Sequence, residues 1–200
     1  ATGAGFAGLV ASPQASWPRG FYTSPILVDL NTPTDGATLR YTLDGSDPTE
    51  TSGLVYAAPI LISGTTTLRA AAFKPDYLPS AIDTNTYIFL DDVTTQSPNG
   101  QPPPGWPSGS VNGQVFDYGM DPDIVNSPEY QGQIEAALQA IPTLSLVTDR
   151  DRLFDPATGI YVNARQDGIA WERPTSVELL NPDSSPGFQI DAGLRIRGGF

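Results

Sequence analysis

Between residues 21 and 90, apolar and polar positions alternate over short runs. Leu39, Tyr41 and Leu43 alternate with Thr38, Arg40 and Thr42, the period-two signature of a half-buried strand. Comparable runs predict strands near 26–30, 60–62, 66–73 and 85–90, with at most one more near 7–11. Turn chemistry separates them: Pro33 with Asp35-Gly36, Asp44-Gly45, Ser63-Gly64 and Pro75-Asp76. The stretch Asp44-Gly45-Ser46-Asp47-Pro48 is the sharpest. Glycine tolerates a positive φ, an Asp side chain accepts nearby backbone N–H groups, and proline cannot donate to a sheet ladder. Short strands at this spacing predict a sandwich rather than alternating strands and helices.

The pattern changes after position 90. Pro98, Pro102, Pro103, Pro104 and Pro107 are interleaved with Gly100, Gly105 and Gly109. Such a stretch favours extended backbone and has too few donors for a sheet. A helix signal follows. Ser127 suits an N-cap, Pro128 the first helical position and Glu129 the first turn. Ile134, Ala137, Leu138 and Ile141 recur at helical spacing until Pro142. Residues 144–148, 176–180 and 188–196 read as strands, and 149–154 as a turn or helical turn. The expected fold is mainly β: a β-sandwich, then a truncated α+β segment with one helix near 128–140. The expected organisation is a lead-in over 1–18, a sandwich over 19–90, a linker over 91–118 and a second region over 119–200.

Composition narrows the chemistry. Twenty-two acidic residues face ten basic ones, a formal charge of −12. Nucleic acid is not an expected partner, since phosphate backbones are held by clustered Lys and Arg. The acidity fits a solvated surface or the binding of divalent cations. The chain has no Cys and no His, which removes thiolate chemistry, His-dependent triads and nearly all zinc sites. Its one lysine is Lys74. No apolar run is long enough to span a membrane, and the chain shows no basic-then-apolar signal peptide. Both ends read as cut, so a piece of a longer protein is expected.

Calcium loops fail on spacing. In Asp149-Arg150-Asp151, Leu153 and Phe154 stand at positions five and six, where an EF-hand loop needs an oxygen ligand and Gly. Asp121-Pro122-Asp123 fails likewise at Val125. Asp44 and Asp47 read as turn builders, with a ligand role as the alternative. Trp17, Tyr22 and Tyr41 read as core, with a sugar-stacking face as the alternative.

Two family resemblances follow from motifs. Arg40-Tyr41-Thr42, Asp44-Gly45-Ser46, Pro48-Thr49, Tyr56, Pro59-Ile60, Ile62, the run from Thr65 to Ala70, Pro79-Ser80 and Thr86-Tyr87 resemble the chitobiase/β-hexosaminidase C-terminal domain. This resemblance covers roughly residues 19–90. It implies an immunoglobulin-like, non-catalytic accessory sandwich of a secreted bacterial protein, with carbohydrate as a candidate partner. Residues 120–200 resemble the opening of a spore-coat protein H (CotH-type) kinase domain. That resemblance rests on the run from Ile141 to Leu146, Leu153-Phe154-Asp155, the run from Thr158 to Asn163, Trp171-Glu172-Arg173-Pro174, the run from Ser176 to Leu179 and the run from Ala192 to Gly199.

The second resemblance implies an extracellular or cell-surface protein kinase using ATP and a divalent metal such as Mg²⁺ on a protein Ser/Thr acceptor. It places the family's metal-binding and base carboxylates beyond this segment, so no catalytic or metal-ligating residue is assigned here. The fragment itself is expected to hold no cofactor and to be inactive. The alternative is a non-catalytic surface adhesion or structural protein with a carbohydrate-binding sandwich. Candidate nucleotide contacts are Arg195, Arg197, Gly198 and Gly199. Arg195 and Arg197 alternate with Leu194 and Ile196, which puts both guanidinium groups on one strand face beside a glycine turn able to hold phosphate. The competing reading is a solvent-facing charged strand. Trp171 is expected to anchor packing, with Glu172 and Arg173 as an ion pair.

Overall fold

In the computed structural model, which describes residues 5–198, the run around Leu68 becomes the spine of a sandwich. The first of two units, Ala1–Tyr87, contains β1 (Gln14–Ala15), β2 (Gly20–Phe21), β3 (Ile26–Val28), β4 (Leu30–Asn31), β5 (Thr38–Thr42), β6 (Leu54–Val55), β7 (Ile60–Ile62), β8 (Thr66–Phe73) and most of β9 (Asp83–Ile88). Five of them form a sheet in the order β2-β9-β8-β5-β6, antiparallel from β9 to β6. β3 pairs with β7, and β1 with β4. No strand forms near 7–11; there Leu9 makes an isolated bridge to Leu78.

β3 and β7 obey the alternation most cleanly. Ile26 faces Ile62 and Val28 faces Ile60 across the ladder, all four buried, while the Leu27–Leu61 pair points to solvent. Cross-strand aliphatic pairs of this kind are the unit of sheet stabilisation. β8 is buried on both faces from Leu68 to Ala72. Its alanines let neighbouring layers approach closely, and Ser80 accepts the Ala72 N–H through Oγ at 2.8 Å. β5 departs from its period-two expectation. Thr42 is buried, its hydroxyl donating to the Ser46 carbonyl at 2.6 Å, whereas Leu43 lies past the strand end and is 40% exposed. The turn recruits Thr42 inward through this hydrogen bond, which outweighs the side-chain pattern.

The second unit, Ile88–Phe200, contains α1 (Leu90–Thr95), β10 (Ser110–Val111), β11 (Gln114–Val115), α2 (Pro122–Val125), α3 (Ile134–Leu138), β12 (Thr143–Val147), α4 (Asp151–Phe154), β13 (Arg173–Leu180) and β14 (Gln189–Leu194). Its main sheet is antiparallel, in the order β12-β13-β14. The helix expected over 128–140 is confined to α3. Ser127 Oγ does accept the Glu129 N–H at 3.2 Å, but Gly132 at φ 75° breaks the helical path before Ile134. Left-handed backbone ends a helix rather than extending it.

The expected linker over 91–118 carries three aromatic side chains, Trp106, Phe116 and Tyr118, that pack within this unit. Trp106 and Phe116 meet Phe154 edge-on at 5.5 and 5.6 Å, Phe116 lies 5.0 Å from Tyr161, and Tyr118 stacks on Phe116 at 5.8 Å. The Tyr118 hydroxyl donates to the Pro107 carbonyl at 2.8 Å. Edge-to-face pairs add stabilisation beyond buried area. Phe154 is half-buried at the centre, so Phe154→Ala is expected to cost about 2–3 kcal/mol, below the full-burial value, read by urea unfolding followed by near-UV circular dichroism. A loss under about 0.5 kcal/mol, the level of an inert surface change, would show that the cluster does not hold this unit.

The two faces of the β12-β13-β14 sheet differ. Ser176, Glu178 and Leu180 are buried on one face. Register places Leu144, Leu146, Val177, Leu179 and Ile190 together on the other, where Leu144 and Leu146 are about 60% exposed. A contiguous apolar sheet face is more than the scattered exposure ordinary surfaces show.

Candidate functional site

The Asp44–Thr49 turn contains the most distinctive polar constellation of the first unit. Asp44 Oδ1 accepts the Ser46 N–H at 3.1 Å and the Ser46 hydroxyl at 2.6 Å, an Asx turn closed by Gly45 at φ 83°. This geometry brings Asp47 onto Arg69, whose side chain is nearly fully buried, and the two form an ion pair. Arg69 also donates to the Gly45 carbonyl at 3.0 Å and to Thr84 Oγ1 at 3.4 Å. The turn is thus a clasp on a buried guanidinium. Both carboxylates are occupied by the fold, which favours turn building over a ligand role.

A second polar chain links β2 to β9. Arg19 donates to Asn85 Oδ1 at 3.5 Å, and Asn85 Nδ2 donates to Asp83 at 2.6 Å. Burial raises the Asp83 carboxyl above its ordinary pKa, against the smaller lowering effects of the Asn85 hydrogen bond and the Arg19 charge. A carboxyl whose pKa rises on folding favours the folded state fully at pH below its unfolded value. That contribution is lost as pH rises through the folded value. Asp83→Asn, which keeps an acceptor oxygen and removes the charge, is expected to leave the thermal midpoint at pH 7 equal or higher. It is also expected to flatten the midpoint's fall between pH 4 and 7. A lower midpoint at pH 7 with an unchanged pH slope would contradict this reading.

Aromatic side chains flank this chain. Trp17 meets Tyr22 edge-on at 5.9 Å, and Tyr22 meets the buried Tyr87 at 5.6 Å. The Tyr87 hydroxyl donates to the Trp17 carbonyl at 3.1 Å. Of the three aromatics read as core, Trp17 and Tyr22 meet, with Tyr87 as the inner member, whereas Tyr41 is half-buried in β5 opposite Leu54 and Ala70. Trp17 remains 43% exposed.

In the second unit the expected arginine pair separates. β14 ends at Leu194, so Arg195 and Arg197 lie beyond the strand. Arg195 is drawn to Glu172, Nε to Oε2 at 3.3 Å. Arg197 instead lines a depression of about 340 Å³ with Ala164, Arg165, Gln166, Asp167, Ile196 and Gly198. Gly199 falls outside the described residues. Sequence reasoning missed Arg165, which sits in the loop after the Asp155–Asn163 turns. Glu172 does not pair with Arg173 as expected. The Arg173 guanidinium lies 5.3 Å over the Trp171 ring and donates to the carbonyls of Thr158, Ala170 and Glu172. Three carbonyls and a ring face satisfy a forked guanidinium, and this leaves Glu172 for Arg195.

The acidic turns are structural. Asp155 Oδ1 accepts the N–H groups of Ala157 and Thr158 and the Thr158 hydroxyl at 2.8–2.9 Å. These bonds, the Thr158 hydroxyl foremost, hold its carboxyl below the usual range. Asp149 Oδ1 accepts the Asp151 N–H at 3.0 Å. Among the described residues no three acidic side chains converge as a metal-ligand set.

Comparison with known proteins separates the two units. Residues 17–84 match the family model of the chitobiase/beta-hexosaminidase C-terminal domain. The clasp, the Ile/Val pairs and the buried β8 all lie within the matched residues. The match does not extend into the second unit. Over 117 residues the chain is also 31% identical to WD repeat-containing protein 90 of Mus musculus, a stretch covering 56% of this chain. The chain spans about 6% of that relative's length. No solved structure matches the chain.

Proposed function

We propose that the chain joins a non-catalytic, chitobiase-type accessory sandwich to the opening of a CotH-type kinase domain in a secreted or surface bacterial protein. In this reading the parent protein transfers phosphate from ATP to protein Ser or Thr, and this segment does not complete the catalytic set. The observation that carries the reading is the order of the kinase-like motifs along one sheet. Residues 143–146 of the first motif lie in β12, 176–179 in β13 and 192–194 in β14. A run of motifs on one continuous ladder fits a single domain better than scattered similarity does. In phosphoryl transfer the protein's work is positioning and charge stabilisation. The residues of this unit suited to such work are free guanidinium groups beside a glycine turn. The test is incubation of the parent protein with ATP, Mg²⁺ and a Ser-rich acceptor. Incorporated phosphoserine supports the reading; none across acceptors counts against it.

A second reading, carbohydrate contact by the sandwich, is favoured by the half-exposed Trp17 ring beside Tyr22. Titrating the chain with chitooligosaccharides should then shift tryptophan fluorescence, and Trp17→Ala should abolish the shift. An unchanged signal would remove this reading.

A further inference from the structure

The chain has nine arginines and one lysine, and the partners of these ten cations single out two of them. Lys74 donates to the Asp35 carbonyl and lies over Tyr77. Arg40 donates to the Gly53 carbonyl, Arg69 pairs with Asp47, Arg19 bonds Asn85, Arg150 lies near Asp151, Arg152 donates to Pro174, Arg173 to three carbonyls, and Arg195 pairs with Glu172. Among the described residues, Arg165 and Arg197 alone have no protein acceptor. Both line the same depression. In a chain of charge −12, acceptors for guanidinium groups are plentiful. Two forks left free at one place are therefore available to an outside anion.

We infer that Arg165 and Arg197 together form a binding site for a phosphoryl group, with Arg195 excluded from it. A planar fork with several donors matches phosphate oxygens better than a point charge does. Gly198 at φ 154° follows Arg197 without a side chain to crowd the mouth. Asp167 on the rim leaves a net lining charge of one positive, which favours a ligand spreading its charge over several oxygens. Arg165 and Gln166 also border a second depression of about 410 Å³ lined by Asn112, Val162, Asn163 and Ala164. An uncharged polar portion of the ligand has room there. The phosphoryl group comes from a nucleotide or from inorganic polyphosphate. The nucleotide source rests on the kinase reading; the anion site does not.

Calorimetric titration of the whole chain at low ionic strength, with sodium tripolyphosphate and separately with ATP, tests this. Tripolyphosphate should bind saturably and weaken with salt. Arg165→Gln and Arg197→Gln should each weaken it about tenfold, as loss of a charge-assisted hydrogen bond does. Arg195→Gln should leave it unchanged. Both site variants should keep the parental melting midpoint, because neither side chain holds another part of the fold. Absent saturable binding, or equal binding by the Arg165→Gln or Arg197→Gln variant, overturns the site. So does a loss in Arg195→Gln equal to theirs. ATP binding tighter than tripolyphosphate supports the nucleotide source. Tripolyphosphate binding without ATP binding leaves the site standing and overturns the nucleotide source.

Discussion

Asp47→Ala is expected to destabilise the first unit by about 3 kcal/mol or more, the usual cost of leaving one member of a buried ion pair alone. Arg69 is only 4% exposed on β8, the central strand of its sheet. Without Asp47 its charge keeps only the Gly45 carbonyl and Thr84 hydroxyl as neutral acceptors. The loss concentrates where β8 is buried, so amide exchange at residues 68–72 should accelerate most. Asp44→Ala removes the Asx bonds to Ser46 and is expected to cost about 1 kcal/mol, a typical net hydrogen-bond value. A double change, Asp47→Ala with Arg69→Met, should recover much of the loss, because an apolar chain of similar length needs no partner. Equal effects of Asp44→Ala and Asp47→Ala would show that the turn, not the ion pair, carries the energy.

Gly159→Ala is expected to cost about 3 kcal/mol in the second unit, the upper end of overpacking penalties. An added Cβ would stand 2.5 Å from the Leu153 carbonyl oxygen and 2.6 and 2.7 Å from Asp155 N and O. All three are backbone atoms, so no side-chain rotation relieves the clash. The same turn donates Gly159 N–H to the Asp155 carbonyl at 2.8 Å, offers the Thr158 carbonyl to Arg173, and seats the buried Ile160. Displacing it loosens Phe154 and Tyr161 together. Near-UV circular dichroism and urea unfolding of the variant measure this, with Gly113→Ala, where an added Cβ meets open space, as a control for backbone strain alone. Its φ of 77° makes that control cost about 1 kcal/mol. A Gly159→Ala loss no larger than the control's would contradict the packing argument.

These two positions show what was legible in the sequence. Strands whose alternation was regular, such as 60–62 and 66–73, lie where the pattern put them. The turn at Asp44-Gly45 was equally plain, because its chemistry is local. Its purpose was not, since Arg69 is distant in sequence. A signal did exist: an arginine inside the apolar run Leu68-Arg69-Ala70-Ala71-Ala72 needs a buried acceptor. The apolar spacing over 128–140 does not outweigh Gly132, whose left-handed backbone confines the helix to Ile134–Leu138. Short pairs such as β10-β11 and the edge strand β6 carry too few residues to show a period. At the candidate site, Arg197 and Gly198 were legible from the glycine turn. Arg165 was not, because only the engagement of the other cations distinguishes it.

In the proposed function, an accessory sandwich and a kinase-like region divide the labour. Phosphate incorporation by the parent protein, compared with versions lacking residues 17–84 or residues 120–200, tests that division most directly. Transfer should persist without the sandwich and vanish without residues 120–200. No transfer by the intact parent, or transfer that survives removal of residues 120–200, would contradict it.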